Sequence, residues 1–194
     1  MGFAYFGKEK WINISREERL FCAHLYWAIK SRENKFLEWI SQRHQCGIRF
    51  TSSEIESDWE VGYEVCLYRD YLKNKGESIK SGDYSSKVKR TFDLCLFSKR
   101  RIIIIEAKVC ELFKKSQVES LEADIIQIPE LLETPVRVDA IAIASSKYFK
   151  NYEKRHRKDE SNLLQAFSCR ITWSELEDFY NDSIFRWADS IYGK

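Results

Sequence analysis

The sequence has little of what interrupts a chain or divides it into parts. Its 194 residues include only two prolines and seven glycines. No linker rich in Pro, Gly or Ser, no internal repeat and no low-complexity tract separates one half from the other. Hydrophobic residues make up 44% of the chain and aromatic residues 14%, which argues against a disordered or fibrous protein. This length and composition predict one compact domain spanning residues 1–194.

Other absences exclude several classes of protein. No apolar run approaches the roughly 20 residues that a membrane span needs, so we expect no membrane partner. The six cysteines form no CxxC or CxxH spacing, which favours reduced, packed thiols in a cytoplasmic protein over a disulfide frame or a zinc site. A Gly-rich phosphate loop, a GxSxG motif and a Rossmann fingerprint are also missing. The net charge of +2 neither demands nor excludes a polyanionic partner.

Helical patterns occupy both ends of the chain and two internal segments. Apolar spacing predicts one long helix, or two joined near residues 31–34, within residues 15–46. A second helix is predicted over residues 52–76 from the spacing of Val61, Val65, Tyr68 and Leu72. A third runs from about residue 115 until Pro129 interrupts it. Residues 172–193 predict a capped C-terminal helix or a pair of helices.

Strand patterns lie between these helices. The segments "RTFDLCLFS" and "RIIIIEAKVC" are separated only by Lys99-Arg100, which predicts an antiparallel hairpin. The second segment is apolar on both faces, so we expect it at the centre of the sheet. "VRVDAIAIASS" predicts a further strand, and the polar residues 77–86 leave room for a short one. Helices and strands in this order indicate a mixed sheet flanked by helices.

Charged residues stand at the end of the most apolar strand, where burial is costly unless they are paired or bound to a metal. Glu106 and Lys108 are two residues apart and share a face, with the Ala107 carbonyl between them. Asp93, on the preceding strand, can reach the same end of the sheet. Two carboxylates and a carbonyl suit Mg²⁺ or Mn²⁺, and Lys108 can position a water or an anion. The pattern alone is weak, since ion pairing explains such residues equally well.

These residues resemble the PD-(D/E)XK, or restriction-endonuclease-like, nuclease superfamily over roughly residues 54–146. The resemblance rests on Phe92-Asp93 and on "IIIIEAK" at Ile102–Lys108, with Phe92 where the family pattern has Pro. It implies an α/β fold with an αβββαβ core, and Mg²⁺- or Mn²⁺-dependent hydrolysis of phosphodiester bonds. We expect DNA in preference to RNA and an endonuclease in preference to an exonuclease, although the residues themselves leave both choices open. Residues 1–50 and 150–194 would then be additional N- and C-terminal helical extensions.

The family commonly adds an acidic residue from the first core helix. Glu64 is the preferred match, because it shares a predicted helical stripe with Val61 and Tyr68. Glu18 is the alternative: if the earlier, longer helix is the first core helix, Glu64 falls on the first strand instead. The catalytic set expected from the resemblance is therefore Asp93, Glu106 and Lys108 with Glu64 or Glu18.

Nucleic-acid contacts are expected around this set. Some relatives use a Gln from the helix after the ExK motif, and Gln117 lies in that region. Lys89, Arg90 and Lys114 flank the site and can neutralise phosphates without conferring sequence preference. Many members form homodimers that cut both strands, although no residue here indicates one. The alternative function is a non-catalytic nucleic-acid- or protein-binding module with the same fold in a defence or repair assembly.

Overall fold

A computed structural model of the chain describes residues 16–77, 87–155 and 163–193. The described helices are α1 (Glu18–Lys30), α2 (Glu33–Gln42), α3 (Ser52–Ile55), α4 (Leu67–Asn74), α5 (Lys115–Leu132), α6 (Ser146–Arg155), α7 (Trp173–Tyr180) and α8 (Ser183–Ile191), with a 3₁₀ turn at Leu163–Ala166. The strands are β1 (Glu60–Val65), β2 (Phe92–Phe97), β3 (Arg101–Ala107), β4 (Arg137–Ala144) and β5 (Cys169–Thr172). None of the helices in these ranges is long and apolar enough to cross a membrane.

The strands form one mixed sheet in the order β1-β2-β3-β4-β5. β1 and β3 both run antiparallel to β2, whereas β4 runs parallel to β3 and to β5. The predicted hairpin is confirmed, because Phe97 pairs with Ile102 and Leu94 with Ile105. The prediction of an α/β fold with a central mixed sheet flanked by helices is also confirmed, and β3 lies at its centre.

The isoleucines of β3 explain why this strand is central. Every residue of β3 is buried. Ile103 and Ile105 pack into a core shared with α1, α2, α7 and α8. Ile102 and Ile104 pack into a second core with α4, α5 and α6 on the opposite face. Burying a side chain of this size contributes about 2 kcal/mol, so a central position that is covered on both faces stabilises this strand most.

In the first half of the chain, the structure decides one open prediction and corrects another. The N-terminal helical pattern forms two helices, α1 and α2, as the second alternative had it. The helix predicted over residues 52–76 is wrong for Glu60–Val65, which is a strand, and right for α3 and α4. Pairing of β1 with β2 outweighs the local apolar spacing. β1 is thus a strand that the preferred sequence prediction did not include, and residues 78–86, where a short strand was expected, lie outside those described.

The C-terminal region contributes more than helices. A capping box between Thr172 and Glu175 starts α7, and α8 follows, so the predicted pair is confirmed. Residues 150–194 are not purely helical, however, because β5 adds a parallel strand beside β4. Its four residues are too few for periodicity to identify. Similarly, Pro129 does not end the helix before it, and α5 continues through it to Leu132.

The expectation that all six cysteines are reduced is wrong for Cys46 and Cys169, which form a disulfide. Cys46 follows α2 and Cys169 begins β5, so 123 residues separate them in sequence, and no local spacing could predict the pairing. Cys22 and Cys95 are buried free thiols, as expected, whereas Cys110 is exposed. Cysteine usage therefore gives no support for a cytoplasmic location.

Candidate functional site

Asp93 lies at the start of β2, at the same end of the sheet as the last residues of β3. The ladder between these strands ends at Leu94 opposite Ile105. Beyond this pair the backbone N–H of Ala107 donates to Asp93 Oδ2 at 2.8 Å. The Asp93 carboxylate thus accepts the hydrogen bond of a backbone N–H at the end of β3. This contact holds Asp93 against the Glu106–Lys108 segment. The spatial expectation that Asp93 reaches this segment is met.

Glu106 is almost completely buried, with 3% of its surface exposed. Arg90 Nη2 donates to its Oε1 at 3.1 Å, and Gln117 Nε2 donates to its Oε2 at 3.0 Å. Burial, followed by repulsion from Asp93, raises the pKa of Glu106 to about 7, although Arg90, Lys108 and Gln117 act in the opposite direction. The carboxylate therefore ionises with difficulty, even with a guanidinium beside it.

Asp93 experiences the same environment. Burial raises the pKa of its carboxyl above the ordinary value, while the Ala107 N–H and the charges of Lys108 and Arg90 lower it. Two carboxylates that lie close together in an apolar setting repel each other when both are ionised. A further cation at this point would stabilise the ionised form of both.

Lys108 is paired with Glu18 from α1. Lys108 Nζ donates to Glu18 Oε1 at 2.9 Å, and the Val109 N–H donates to Glu18 Oε2 at 3.3 Å. Burial alone would lower the pKa of Lys108, but attraction to Glu18, Asp93 and Glu106 outweighs this and raises it. Trp173 Nε1 donates to the Lys108 carbonyl at 2.9 Å. The ammonium is thus charged and fixed in position at the end of β3.

Glu64 does not occupy the predicted helical position. It lies on β1, which corrects the preferred assignment and agrees with the alternative in which α1 is the first core helix. Its side chain pairs with Arg19, with Nε and Oε1 at 3.5 Å. Its backbone has φ of 52°, a conformation uncommon for a residue with a side chain. The helix carboxylate that contacts Lys108 is Glu18.

Asp124 on α5 is a buried carboxylate that the sequence analysis missed. It is 1% exposed and accepts three hydrogen bonds: from Tyr68 Oη at 2.6 Å, from Lys87 Nζ at 2.9 Å and from Arg90 Nε at 3.0 Å. A signal for it exists in the sequence, because Asp124 follows Leu121 by three residues within the apolar stripe of α5. Arg90 therefore bridges Asp124 and Glu106.

The residues predicted to contact nucleic acid divide into two groups. Lys89 is exposed, and the Lys114 side chain is 74% exposed, with its Nζ 4.0 Å from Glu111 Oε2. Arg90 points inward, with 18% of its side chain exposed. The Gln117 side-chain amide donates to Glu106. The structure thus brings Arg90 and Gln117 into the candidate site and leaves the two lysines on the surface.

The oxygen donors at this end of the sheet are of the type that binds a hard divalent cation whose remaining coordination positions are filled by water. Within the described ranges, no group of three or more His, Cys, Asp or Glu residues is arranged to hold a metal ion. Asp93 and Glu106 supply two carboxylates, and the Ala107 carbonyl is the third predicted donor. Mg²⁺ commonly binds to one or two carboxylates and keeps several waters. Burial raises the pKa of both carboxyls in spite of the nearby Arg90 and Lys108, and a bound cation would oppose that effect.

Comparisons with known proteins give no independent assignment. No protein-family model, curated protein or solved structure matches the chain. Any functional conclusion therefore depends on the residues and contacts described above.

Proposed function

We propose that this protein is an Mg²⁺- or Mn²⁺-dependent nuclease of the restriction-endonuclease-like type that hydrolyses phosphodiester bonds in DNA. One observation carries the proposal. Asp93 and Glu106, two carboxyls of raised pKa, lie beside Lys108 at the end of the central strand. Buried like charges at a strand end are costly, and a metal-dependent site gives them a chemical role.

The order of elements supports the same proposal. α1, then β1, β2 and β3, then α5 and β4 follow one another as helix, three strands, helix and strand, apart from the short α2 to α4 between them. This is the αβββαβ order that the resemblance implies. Under this proposal, Glu18 on α1 is the acidic residue that the family supplies from its first core helix. Its contact with Lys108 joins it to the ExK motif.

Each residue has a distinct role in this proposal. Asp93, Glu106 and the Ala107 carbonyl would hold the metal, which when bound lowers the pKa of water and stabilises charge on the phosphate. Lys108 orients the attacking water or stabilises the anionic phosphorus centre. Glu18 keeps the Lys108 ammonium charged and directed toward the site. Gln117 fixes the orientation of the Glu106 carboxylate.

The test is cleavage of labelled DNA with Mn²⁺ or Mg²⁺ by wild-type protein and by Asp93→Asn, Glu106→Gln and Lys108→Ala variants. We expect each substitution to reduce cleavage by about 100-fold or more, comparable to losing one transition-state contact. Glu111→Gln is the matched control, because its side chain is 66% exposed. Equal cleavage by wild type and Lys108→Ala would refute the mechanism.

Labelled RNA tests the substrate class, and sedimentation with DNA tests for a homodimer.

One observation favours a second candidate, a non-catalytic binding module with the same fold. The charges at this end already have internal partners, since Lys108 pairs with Glu18 and Arg90 with Glu106. A binding module predicts DNA or protein binding with no turnover and no Mn²⁺ binding that depends on Asp93. Saturable Mn²⁺ binding that Asp93→Asn removes would exclude it.

A further inference from the structure

Arg90 is the counter-ion of Glu106. Its Nη2 lies 3.1 Å from Glu106 Oε1, and Gln117 takes the other carboxylate oxygen. Glu106 is 3% exposed, so little solvent screens this pair. A guanidinium and a metal ion that approach the same carboxylate oxygen repel each other and compete for its lone pairs. Metal bound at Glu106 must therefore displace or weaken the Arg90 contact.

Arg90 is also held at two points that do not involve Glu106. Its Nε donates to Asp124 Oδ2 at 3.0 Å, and its guanidinium carbon lies 4.9 Å from the centre of the Phe92 ring. Asp124 is itself fixed by Tyr68 and Lys87. An Arg90 released from Glu106 thus stays tethered at the rim of the site, with its Nη groups available to an anion. Arginine is well suited to this, since its fork binds phosphate oxygens in pairs.

Resting on the metal-dependent function proposed above, we propose that Arg90 is an exchangeable counter-ion. In the metal-free protein it neutralises Glu106, and on metal binding it transfers its Nη contact to a phosphate of the nucleic acid while its Nε stays on Asp124. Arg90 thereby opposes metal binding in the absence of substrate and favours metal and nucleic acid binding together. It is a positioning residue for the scissile phosphate.

Isothermal titration with Mn²⁺ alone tests this exchange. Arg90→Gln removes the competing charge and should tighten Mn²⁺ binding by about tenfold, as expected for loss of one charge-assisted contact. Arg90→Lys keeps the charge and should bind Mn²⁺ within about twofold of wild type, since one unit of competing charge remains. Lys89→Gln is the matched control, because it removes one charge from an exposed neighbour, and its effect should also stay within about twofold. In cleavage assays Arg90→Gln should have a lower kcat in spite of its tighter metal binding.

The outcomes separate this inference from the proposed function. If wild type and Arg90→Gln bind Mn²⁺ with the same affinity, the metal site stands and the exchange is wrong. If neither protein binds Mn²⁺, both are wrong. Should Arg90→Gln not fold, a crystal structure of wild type with Mn²⁺ decides the matter. Retention of the Arg90 Nη2 to Glu106 Oε1 hydrogen bond in that crystal would overturn the exchange, and its loss with the Asp124 contact retained supports it.

Discussion

Replacing Glu106 with Gln should change the pH dependence of stability. Gln keeps the shape of the side chain but cannot ionise, and its amide accepts at one oxygen where the carboxylate accepts at two. The pKa of Glu106 is about 7 in the folded protein, against 4.5 for the ordinary group. Between these values the folded state holds a proton that the unfolded state has lost, so wild-type stability falls as pH rises through this window. The loss of stability from ionising Glu106 is fully present above pH 7, and it is absent at pH values below the pKa of Glu106 in the unfolded chain.

The size of the effect follows from the shift. At 1.36 kcal/mol for each pKa unit, the unfolding free energy of wild type relative to Glu106→Gln should fall by about 2.5 kcal/mol between about pH 5 and about pH 8. Other titrating groups are common to both proteins and largely cancel. The exception is Asp93, whose ionisation becomes easier once Glu106 is uncharged, so the difference reports this pair of carboxyls.

Urea denaturation in EDTA at the two pH values measures this difference directly. The matched control is Glu111→Gln, whose exposed carboxylate should give the same difference from wild type at both pH values. If the difference between wild type and Glu106→Gln is likewise independent of pH, Glu106 does not titrate in this window and the argument from burial fails. Added Mn²⁺ should stabilise wild type at about pH 8 and leave Glu106→Gln unchanged, because only ligand bound to the folded state stabilises it.

Three further predictions concern contacts around the site. Glu18→Gln should lower DNA cleavage at least tenfold more than Glu64→Gln, because only Glu18 contacts Lys108; equal loss would place both carboxylates in the site. Tyr68→Phe should destabilise the protein by about 2 kcal/mol in urea denaturation, since it removes a hydrogen bond to the buried Asp124 carboxylate and one accepted from Lys87; an unchanged midpoint would contradict this. Alkylation in denaturant without reductant should leave Cys46 and Cys169 unmodified, and mass spectrometry showing both alkylated would show that the disulfide is absent.

The parts of the site that are local in sequence could be predicted from it. Asp93 and Glu106 lie on strands joined by a two-residue turn, so the hairpin brings them to one end without further information. The helix carboxylate could not be decided in this way. Glu18 contacts Lys108 across 90 residues of sequence, and choosing it over Glu64 required knowing that Glu60–Val65 pairs as a strand. Periodicity alone does not report pairing between distant segments.

A charged residue on an apolar helix face is a further signal that the sequence carries. Asp124 occupies an apolar stripe of α5, where an unpaired carboxylate would be costly, and this position alone indicates that donors must surround it. Its donors, Tyr68, Lys87 and Arg90, come from α4 and from the segment before β2. No pattern within α5 identifies them. A polar residue on an apolar face thus predicts that partners exist, whereas the fold determines which they are.

The two ends of β3 differ in how their buried charges are arranged. At the first end, buried Arg101 donates to Asp139 Oδ2 on β4 at 2.7 Å and pairs with Glu54 at 3.3 Å, so the strand and its partners carry opposite charges. At the other end, next to the last pair of the ladder, Glu106 meets Asp93 on β2, which has the same charge. Facing carboxylates on neighbouring strands are unfavourable, and the cations near them, Arg90 and Lys108, reach in from outside that pair. The proposed exchangeable cation would bind between these two carboxylates and neutralise both, while Arg90 and Lys108 keep their other contacts, to Asp124 and Glu18.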